Sequence, residues 1–140
     1  MFLTVSCAQV VGHHLDLPDS VKAFGLLVHL HEMLGGKLSA RICSSQVPVI
    51  TEAFAHADEF LLTAAGQRNR NHIGTGVDFG GVPFAMEEVL FDPQTSGGLL
   101  AAVCPDQAEE AVKKLQEAGL PAAIIGDLCE KDKVEIYVEK

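Results

Sequence analysis

Residues 26–43, LLVHLHEMLGGKLSARIC, predict a helix that is followed at once by a strand. Leucine or methionine stands at positions 26, 27, 30, 33 and 34, which is the spacing of one face of a helix. Gly35-Gly36 predicts the end of that helix, because glycine readily adopts the left-handed conformation found there. Residues 37–43 then alternate with a period of two, which is typical of a half-buried strand. This stretch therefore indicates mixed α and β structure.

The same patterns predict the other elements of the chain. Strands are expected at residues 5–17, 98–104, 122–128 and 134–138. Helices are expected at residues 47–60, 83–90 and 106–118. The polar, glycine-rich stretch 63–81 is expected to be a functional loop or to contain a short strand at 77–79. The predicted fold is a single α+β domain with helices packed on a mixed, largely antiparallel sheet, in which an apolar, strand-like segment at residues 1–17 precedes the main domain at residues 18–140.

The ends and surroundings of these elements are also predicted. Asp19 or Ser20 is expected to cap the first amides of the helix that carries the apolar stripe 26–34, and Asp106 is expected to cap the helix that follows it in sequence. Pro48 is placed in the first turn of its helix, where a missing amide hydrogen costs nothing. The continuous apolar run 98–104 predicts a strand that is covered on both faces.

Composition excludes several classes of protein. The chain has 140 residues, of which 48% are hydrophobic and 21% charged, so it is neither disordered nor a disulfide-rich miniprotein. Ten basic residues against nineteen acidic ones give a formal net charge of −9, which disfavours nucleic-acid binding. No apolar run approaches the length of a membrane span. We therefore expect a soluble protein without nucleic-acid or membrane partners.

The cysteines and histidines do not predict a metal or disulfide framework. The four cysteines are widely spaced and lie in apolar stretches, which favours buried, reduced thiols and a cytoplasmic location over two disulfide bridges. His29 and His31 are two residues apart on a predicted helix and therefore point in different directions. The neighbouring His13 and His14, on a predicted strand, do the same.

The most informative polar segment is residues 90–100, LFDPQTSGGLL. Its hydroxyls and its glycine pair are compatible with an anion-binding nest of backbone amides. From the residues alone, a turn whose side chains satisfy local backbone groups is the favoured interpretation. Arg68 and Arg70 are likewise compatible with phosphate binding or with simple solvation.

This segment resembles the signature of the selenophosphate synthetase (selenide, water dikinase) family, in the aminoimidazole-ribonucleotide-synthase-like superfamily. Further stretches resemble the same family in the same order: Phe24-Gly25-Leu26-Leu27, Ser39-Ala40-Arg41-Ile42, Val47-Pro48, Ala65-Gly66 with Arg68-Asn69-Arg70, and Ile124-Ile125-Gly126. The resemblance covers residues 18–138 and corresponds to the family's C-terminal domain. A hydrogenase-maturation or thiamine-monophosphate-kinase-like domain is the alternative within the superfamily. The amino-acid sequence of residues 92–100 disfavours this alternative, because it resembles selenophosphate synthetases most.

The resemblance implies a function that this part of the chain does not perform alone. The complete enzymes convert ATP, selenide and water into selenophosphate, AMP and phosphate, with Mg²⁺. Their N-terminal domain carries the reactive cysteine or selenocysteine, a lysine and most metal-binding aspartates. The C-terminal domain packs against it and completes the nucleotide site. The resemblance thus implies an N-terminal catalytic domain as partner, ATP and Mg²⁺ as ligands of the complete enzyme only, and no catalytic residue in this chain.

The resemblance also assigns site residues. The nucleotide side of the cleft is expected to contain Asp92, Thr95, Ser96, Gly97, Gly98, Asn69 and Arg68. A metal-ligating aspartate precedes the phenylalanine-glycine pair in the family, and Ser20 occupies its place here, with Asp19 one residue earlier. A hydroxyl is a weaker Mg²⁺ ligand than a carboxylate, so metal binding is expected to be impaired unless Asp19 replaces the missing group.

Two hypotheses of different classes follow. In the first, the chain is the C-terminal domain of a selenophosphate-synthetase-like protein and walls one side of an ATP/Mg²⁺ cleft. In the second, it is a stand-alone degenerate module that kept the fold, lost the metal site, and works in binding, regulation or self-association.

Overall fold

A computed structural model describes residues 2–6, 24–93 and 98–140 of the chain. The strands are Phe2–Ser6 (β1), Leu38–Cys43 (β2), Val77–Phe79 (β3), Leu99–Val103 (β4), Ala122–Glu130 (β5) and Ile136–Glu139 (β6). The helices are Leu26–Leu34 (α1), Glu52–Asp58 (α2), Ala64–Ile73 (α3), Phe84–Phe91 (α4) and Pro105–Glu117 (α5). Single 3₁₀ turns occupy Ser44–Gln46 and Gly74–Gly76.

The strands form one mixed sheet in the order β3-β6-β2-β5-β1-β4. β1 is antiparallel to β4 and β5, and β2 is antiparallel to β5. β6 is parallel to both β2 and β3. The predicted fold class, an α+β domain with helices on a mixed sheet, is confirmed. The predicted boundary between residues 17 and 18 stays a prediction, because it lies outside the described residues.

The hydrophobic core lies between one face of the sheet and helices α1, α3 and α4. Leu27 and Leu30 of α1 are fully buried there, together with Ile42 of β2 and Ile136 of β6. On β2, Ala40 and Ile42 are buried in this core, whereas Arg41 between them is exposed. The period of two that predicted this strand corresponds to this alternation at residues 40–42.

β5 carries one extra residue where it pairs with β1. The partners of Leu3 and Thr4 on β5 are Gly126 and Ile124, so Ile125 is bulged out of the register. Ile125 is fully buried in the core. A side chain at Gly126 would collide with the carbonyl oxygen of Arg41, and glycine is therefore required at that position.

The helix predicted at residues 47–60 is wrong in extent. The observed helix α2 begins only at Glu52, and Pro48 precedes it instead of lying in its first turn. Val47 has an extended backbone, with φ −70° and ψ 119°. The residue before a proline is biased towards such a conformation, which delays the start of the helix.

The stretch predicted as a loop at 63–81 contains the helix α3. The face that α3 buries consists of Gly66, Asn69 and Ile73. Only Ile73 among these residues has an apolar side chain. The helix therefore lacks the hydrophobic stripe from which helices are predicted. The short strand predicted at 77–79 is confirmed as β3.

The strand predicted to be covered on both faces has no fully buried residue. Among the described strands, β4 pairs only with β1 and stands last in the sheet order. Leu99 is 62% exposed. The apolar residues of β4 are therefore partly buried or exposed, and the prediction that both faces of this strand are covered is wrong.

The observed caps differ from the predicted ones at two helices. Gly25 is the N-cap of α1, while Asp19 and Ser20 lie outside the described residues. Cys104 is the N-cap of α5 and Asp106 lies within its first turn, where a negative charge favours the helix dipole. The predicted C-terminal end of α1 is confirmed, since Gly35 adopts a left-handed conformation with φ 55°.

The thiols within the described residues are free but not uniformly buried. Cys43 and Cys129 are half-buried and Cys104 is exposed, so burial was wrongly predicted for Cys104. Cys7 and the remainder of the strand predicted at 5–17, beyond β1, lie outside the described residues. None of the helices within the described ranges is long and apolar enough to cross a bilayer.

Replacement of Ser39 by alanine is expected to destabilise the fold by about 1–3 kcal/mol. The buried hydroxyl of Ser39 donates to the carbonyl of Val134 at 2.8 Å and accepts the amide of Asp132 at 2.9 Å, so both backbone groups lose a partner in Ser39→Ala. Thermal unfolding measures the loss. Ser45→Ala, at an exposed hydroxyl, is the control, and equal melting temperatures for the two variants would contradict this role.

Candidate functional site

Two other segments, α3 and the start of α1, contact the backbone at Phe91 and Asp92. α4 ends at Phe91. The buried side chain of Asn69, on α3, donates from Nδ2 to the Phe91 carbonyl oxygen at 2.9 Å. Thr63, at the start of α3, donates from Oγ1 to Oδ1 of Asp92 at 2.8 Å. Both the carbonyl and the carboxylate at the end of α4 are therefore held by α3.

The hydroxyl of Thr63 makes two hydrogen bonds, one to Gly66 and one to Asp92. It is the N-cap of α3, has an extended backbone, and accepts the amide of Gly66 at 2.9 Å. A hydroxyl has a single hydrogen and can accept as well as donate. Since the cap uses the oxygen as acceptor, the hydrogen is available for Asp92. The start of α3 and the orientation of the Asp92 carboxylate are thus fixed by the same group.

Gly25 allows the start of α1 to reach this point. A Cβ added to Gly25 would lie 2.7 Å from the carbonyl oxygen of Asp92 and 2.8 Å from that of Phe91. Only a residue without a side chain permits this approach. Gly66 is also close, since its added Cβ would be 3.7 Å from Cα of Asp92. α1 and α3 therefore pack directly on the Phe91–Asp92 backbone.

The arrangement presents one half-buried carboxylate, Asp92, at the beginning of the segment that leads to β4. Its position is set by a hydrogen bond and by close backbone packing instead of by a flexible loop. It can act as a fixed negative charge or as an acceptor for a ligand. Within the described part of the chain, no group of three or more histidine, cysteine, aspartate or glutamate side chains could hold a metal ion. A single carboxylate is not a complete Mg²⁺ site by itself, since protein-bound Mg²⁺ takes one or two carboxylates together with waters and phosphates.

The predicted site residues are only partly brought together. Asn69 and Asp92 meet at the end of α4. Arg68 is exposed on α3, and Gly98 is exposed just before β4. Thr95, Ser96 and Gly97, as well as the candidate metal ligand Asp19, lie outside the described residues. Their proposed roles stay predictions.

The two histidines of α1 have different partners, as their spacing predicts. The ring of His29 packs edge-on against Phe24 with centroids 6.0 Å apart. Nδ1 of His31 lies 2.8 Å from Oε2 of Glu135, and its ring is 5.9 Å from that of His72. They do not converge on a common ligand.

Sequence reasoning missed Thr63 and the role of Arg70. Thr63 stands three residues before the amide that it caps, and this spacing is a recognisable start signal for a helix. No local signal shows its bond to Asp92, which lies 29 residues later. Arg70 is half-buried and paired with Glu87 and Glu88, two residues that no pattern near position 70 reveals.

The sequence of the chain is similar to those of one protein family. The sequence matches the family described as "AIR synthase related protein, C-terminal domain" over residues 21–139. It is 51% identical over 134 residues to the selenide, water dikinase of Agathobacter rectalis, covering 94% of this chain and 39% of that relative. It is 46% identical over 118 residues to the selenide, water dikinase of Desulfitobacterium hafniense strain Y51, covering 84% and 35%, respectively. The chain thus spans little more than a third of the length of these relatives, in their C-terminal part.

Replacement of Thr63 by valine is expected to lower stability by about 1–2 kcal/mol, because the helix cap is lost. The isosteric valine also removes the donor to Asp92. Thermal unfolding measures the stability, and the amide resonance of Asp92 reports the local change. Thr51→Val is the matched control, since Thr51 is the N-cap of α2 without a side-chain cap bond. If both variants melted alike and left Asp92 unchanged, the double role of Thr63 would be wrong.

Replacement of Gly25 by alanine is expected to cost about 1–3 kcal/mol, because the new methyl group meets rigid backbone atoms of Phe91 and Asp92. Chemical denaturation measures the change in the free energy of unfolding. Gly80→Ala serves as control, since its added Cβ makes only an ordinary contact of 3.5 Å with the Val138 carbonyl oxygen. A fully stable Gly25→Ala variant would show that α1 does not pack this closely on Asp92.

Proposed function

Since this chain belongs to the AIR synthase related protein, C-terminal domain family, we propose that it works as the C-terminal domain of a selenide, water dikinase. Its task is to line one side of an ATP/Mg²⁺ cleft and to dock on an N-terminal catalytic domain. One observation carries the proposal. The segments that resemble selenophosphate synthetases around Gly25, Asn69 and Asp92 are far apart in sequence, and they meet at the end of α4.

Asp92 is the residue to which we assign the central role. Catalysis of phosphoryl transfer depends largely on positioning and on electrostatic stabilisation. A carboxylate held by Thr63 and by the backbone packing of Gly25 has the fixed orientation that such a role requires. Asn69 acts through the Phe91 carbonyl, and Arg68 with residues 95–98 completes the nucleotide side of the cleft. Mg²⁺ would supply charge neutralisation to the nucleotide when the complete enzyme binds it.

The partner and the location are part of the same proposal. The relatives are much longer than the segment matched here, and the remainder of such a relative is the source of the catalytic groups. The isolated chain is therefore expected to show no measurable ATP/Mg²⁺ binding by calorimetry. A cytoplasmic location, which the reduced cysteines indicate, suits ATP as a substrate.

A second candidate function, a degenerate binding module, has one observation in its favour. Phe60, Leu61 and Phe84 form an exposed apolar patch, in which the rings of Phe60 and Phe84 are 5.5 Å apart. Phe60 has a left-handed backbone with φ 59°, which is unusual for a residue with a side chain. Exposed apolar patches commonly mark interaction surfaces. The replacement of the family's aspartate by Ser20 fits the same candidate.

A chimera tests the proposed function directly. This chain replaces the matching 134 residues of the Agathobacter rectalis relative, and selenide-dependent formation of AMP from ATP is measured. We expect activity in the chimera and a loss of about 100-fold in kcat for its Asp92→Asn variant, because a misplaced or missing charged group has an effect of this order.

The matched control is Asp78→Asn, which removes an exposed carboxylate on the edge strand β3. It is expected to leave kcat unchanged. A folded but inactive chimera, with the intact relative active beside it, would overturn the proposal in favour of the binding module. Equal rates for the two aspartate variants would remove Asp92 from the site.

A further inference from the structure

Arg70 follows Asn69 on α3 and contacts α4 from the same helix. Its Nη2 donates to Oε2 of Glu87 at 3.0 Å and to Oε1 of Glu88 at 2.7 Å. The side chain of Glu88 is only 5% exposed. A buried carboxylate is costly unless it is paired and hydrogen-bonded. Arg70 therefore supplies the charge that allows Glu88 to face the interior.

Gln67, one turn earlier on α3, binds the other oxygen of the same carboxylate. Its Nε2 donates to Oε2 of Glu88 at 2.6 Å. Both oxygens of Glu88 are thus held by side chains of α3. Since Arg70 also binds Glu87, two residues of α4 are attached to α3, and the last turns of α4 have a defined orientation relative to α3.

The guanidinium of Arg70 also lies over aromatic rings. Its Cζ is 4.9 Å from the ring centroid of Phe91 and 5.6 Å from that of Phe79. The two rings are themselves 5.8 Å apart. Such cation–π contacts are stronger when they are shielded from water. Arg70 thereby contacts the side chain of the residue whose carbonyl Asn69 binds and which directly precedes Asp92.

We propose that Arg70 is a positioning residue for Asp92. Arg70 contacts the side chain of Phe91, and Asn69 binds its carbonyl oxygen. Together the two contacts set the direction in which the backbone continues from α4 to Asp92. The catalytic consequence rests on the function proposed above for Asp92, whereas the positioning itself does not. The alternative of a phosphate ligand is disfavoured, because the two carboxylates that pair with Arg70 offset its charge and would repel an anion.

Arginine is required for this task instead of lysine. The planar guanidinium stacks on a ring and donates at its edge at the same time. A lysine ammonium is a point charge that can neutralise Glu88, but it lacks the extended planar group that lies over Phe91 and Phe79. Arg70→Lys therefore keeps the charge and removes the planar contact, while Arg70→Met removes both.

Two readouts test the proposal, and Arg41→Met is the matched control. Arg41 also lies over an aromatic ring, at 5.6 Å from Tyr137, and near a carboxylate, at 4.0 Å from Glu139, but on the other face of the sheet. The first readout is the NMR spectrum of the chain. We expect the Asp92 amide and the Asn69 carboxamide resonances to move in Arg70→Lys and Arg70→Met, and to stay in place in Arg41→Met.

The second readout is the chimera described above. There Arg70→Lys is expected to lower kcat by about 100-fold, the effect of a displacement near 1 Å, with a smaller change in KM for ATP. If Arg70→Met does not fold, the spectrum of Arg70→Lys decides. Unchanged Asp92 and Asn69 resonances in folded Arg70→Lys would overturn the proposal. An inactive wild-type chimera together with shifted resonances would refute the proposed function and leave the positioning role intact.

Discussion

The hydrogen bond from Asn69 to the carbonyl of Phe91 connects the middle of α3 to the last turn of α4. The final carbonyl groups of a helix have no partner within that helix, and a buried one must find a donor elsewhere. Asn69 is buried for this purpose, although asparagine usually lies at the surface. With this bond in place, Asp92 begins the next segment from a fixed point. Without it, the end of α4 would be left with an unsatisfied buried group.

Close packing of α1 reinforces this bond. Gly25 brings the start of α1 against the Phe91–Asp92 backbone, and Gly66 does the same for α3. Because α1 also contributes Leu27 and Leu30 to the core, the position of Asp92 is tied to the main hydrophobic cluster of the protein. Stability and site geometry therefore depend on the same contacts. This coupling explains how a site with few polar groups can keep one carboxylate in a defined direction.

Elements with a regular pattern of apolar residues can be predicted from the sequence. Elements that bury polar residues or glycine cannot. α1 and β2 have clear periods, and their C-terminal ends were predicted correctly, whereas the N-cap of α1 was not. α3 was missed because it buries Gly66 and Asn69, and β4 was misjudged because an apolar run does not reveal how much of each strand face is covered. For the candidate site, the resemblance predicted Asp92 and Asn69, which lie together at the end of α4 and whose roles stay predictions. The bond from Thr63 and the contacts of Arg70 could not be predicted, because their partners lie 17 to 29 residues away and follow only from the packing of α3 on α4.

The scalar coupling across the hydrogen bond between the Asn69 carboxamide nitrogen and the Phe91 carbonyl carbon tests this account most directly. It is measured by NMR on the isotope-labelled chain at neutral pH. The account predicts a measurable coupling, together with Asn69 side-chain protons that exchange much more slowly than those of an exposed asparagine such as Asn71. No coupling, with Asn69 exchanging as fast as Asn71 in the folded protein, would contradict it.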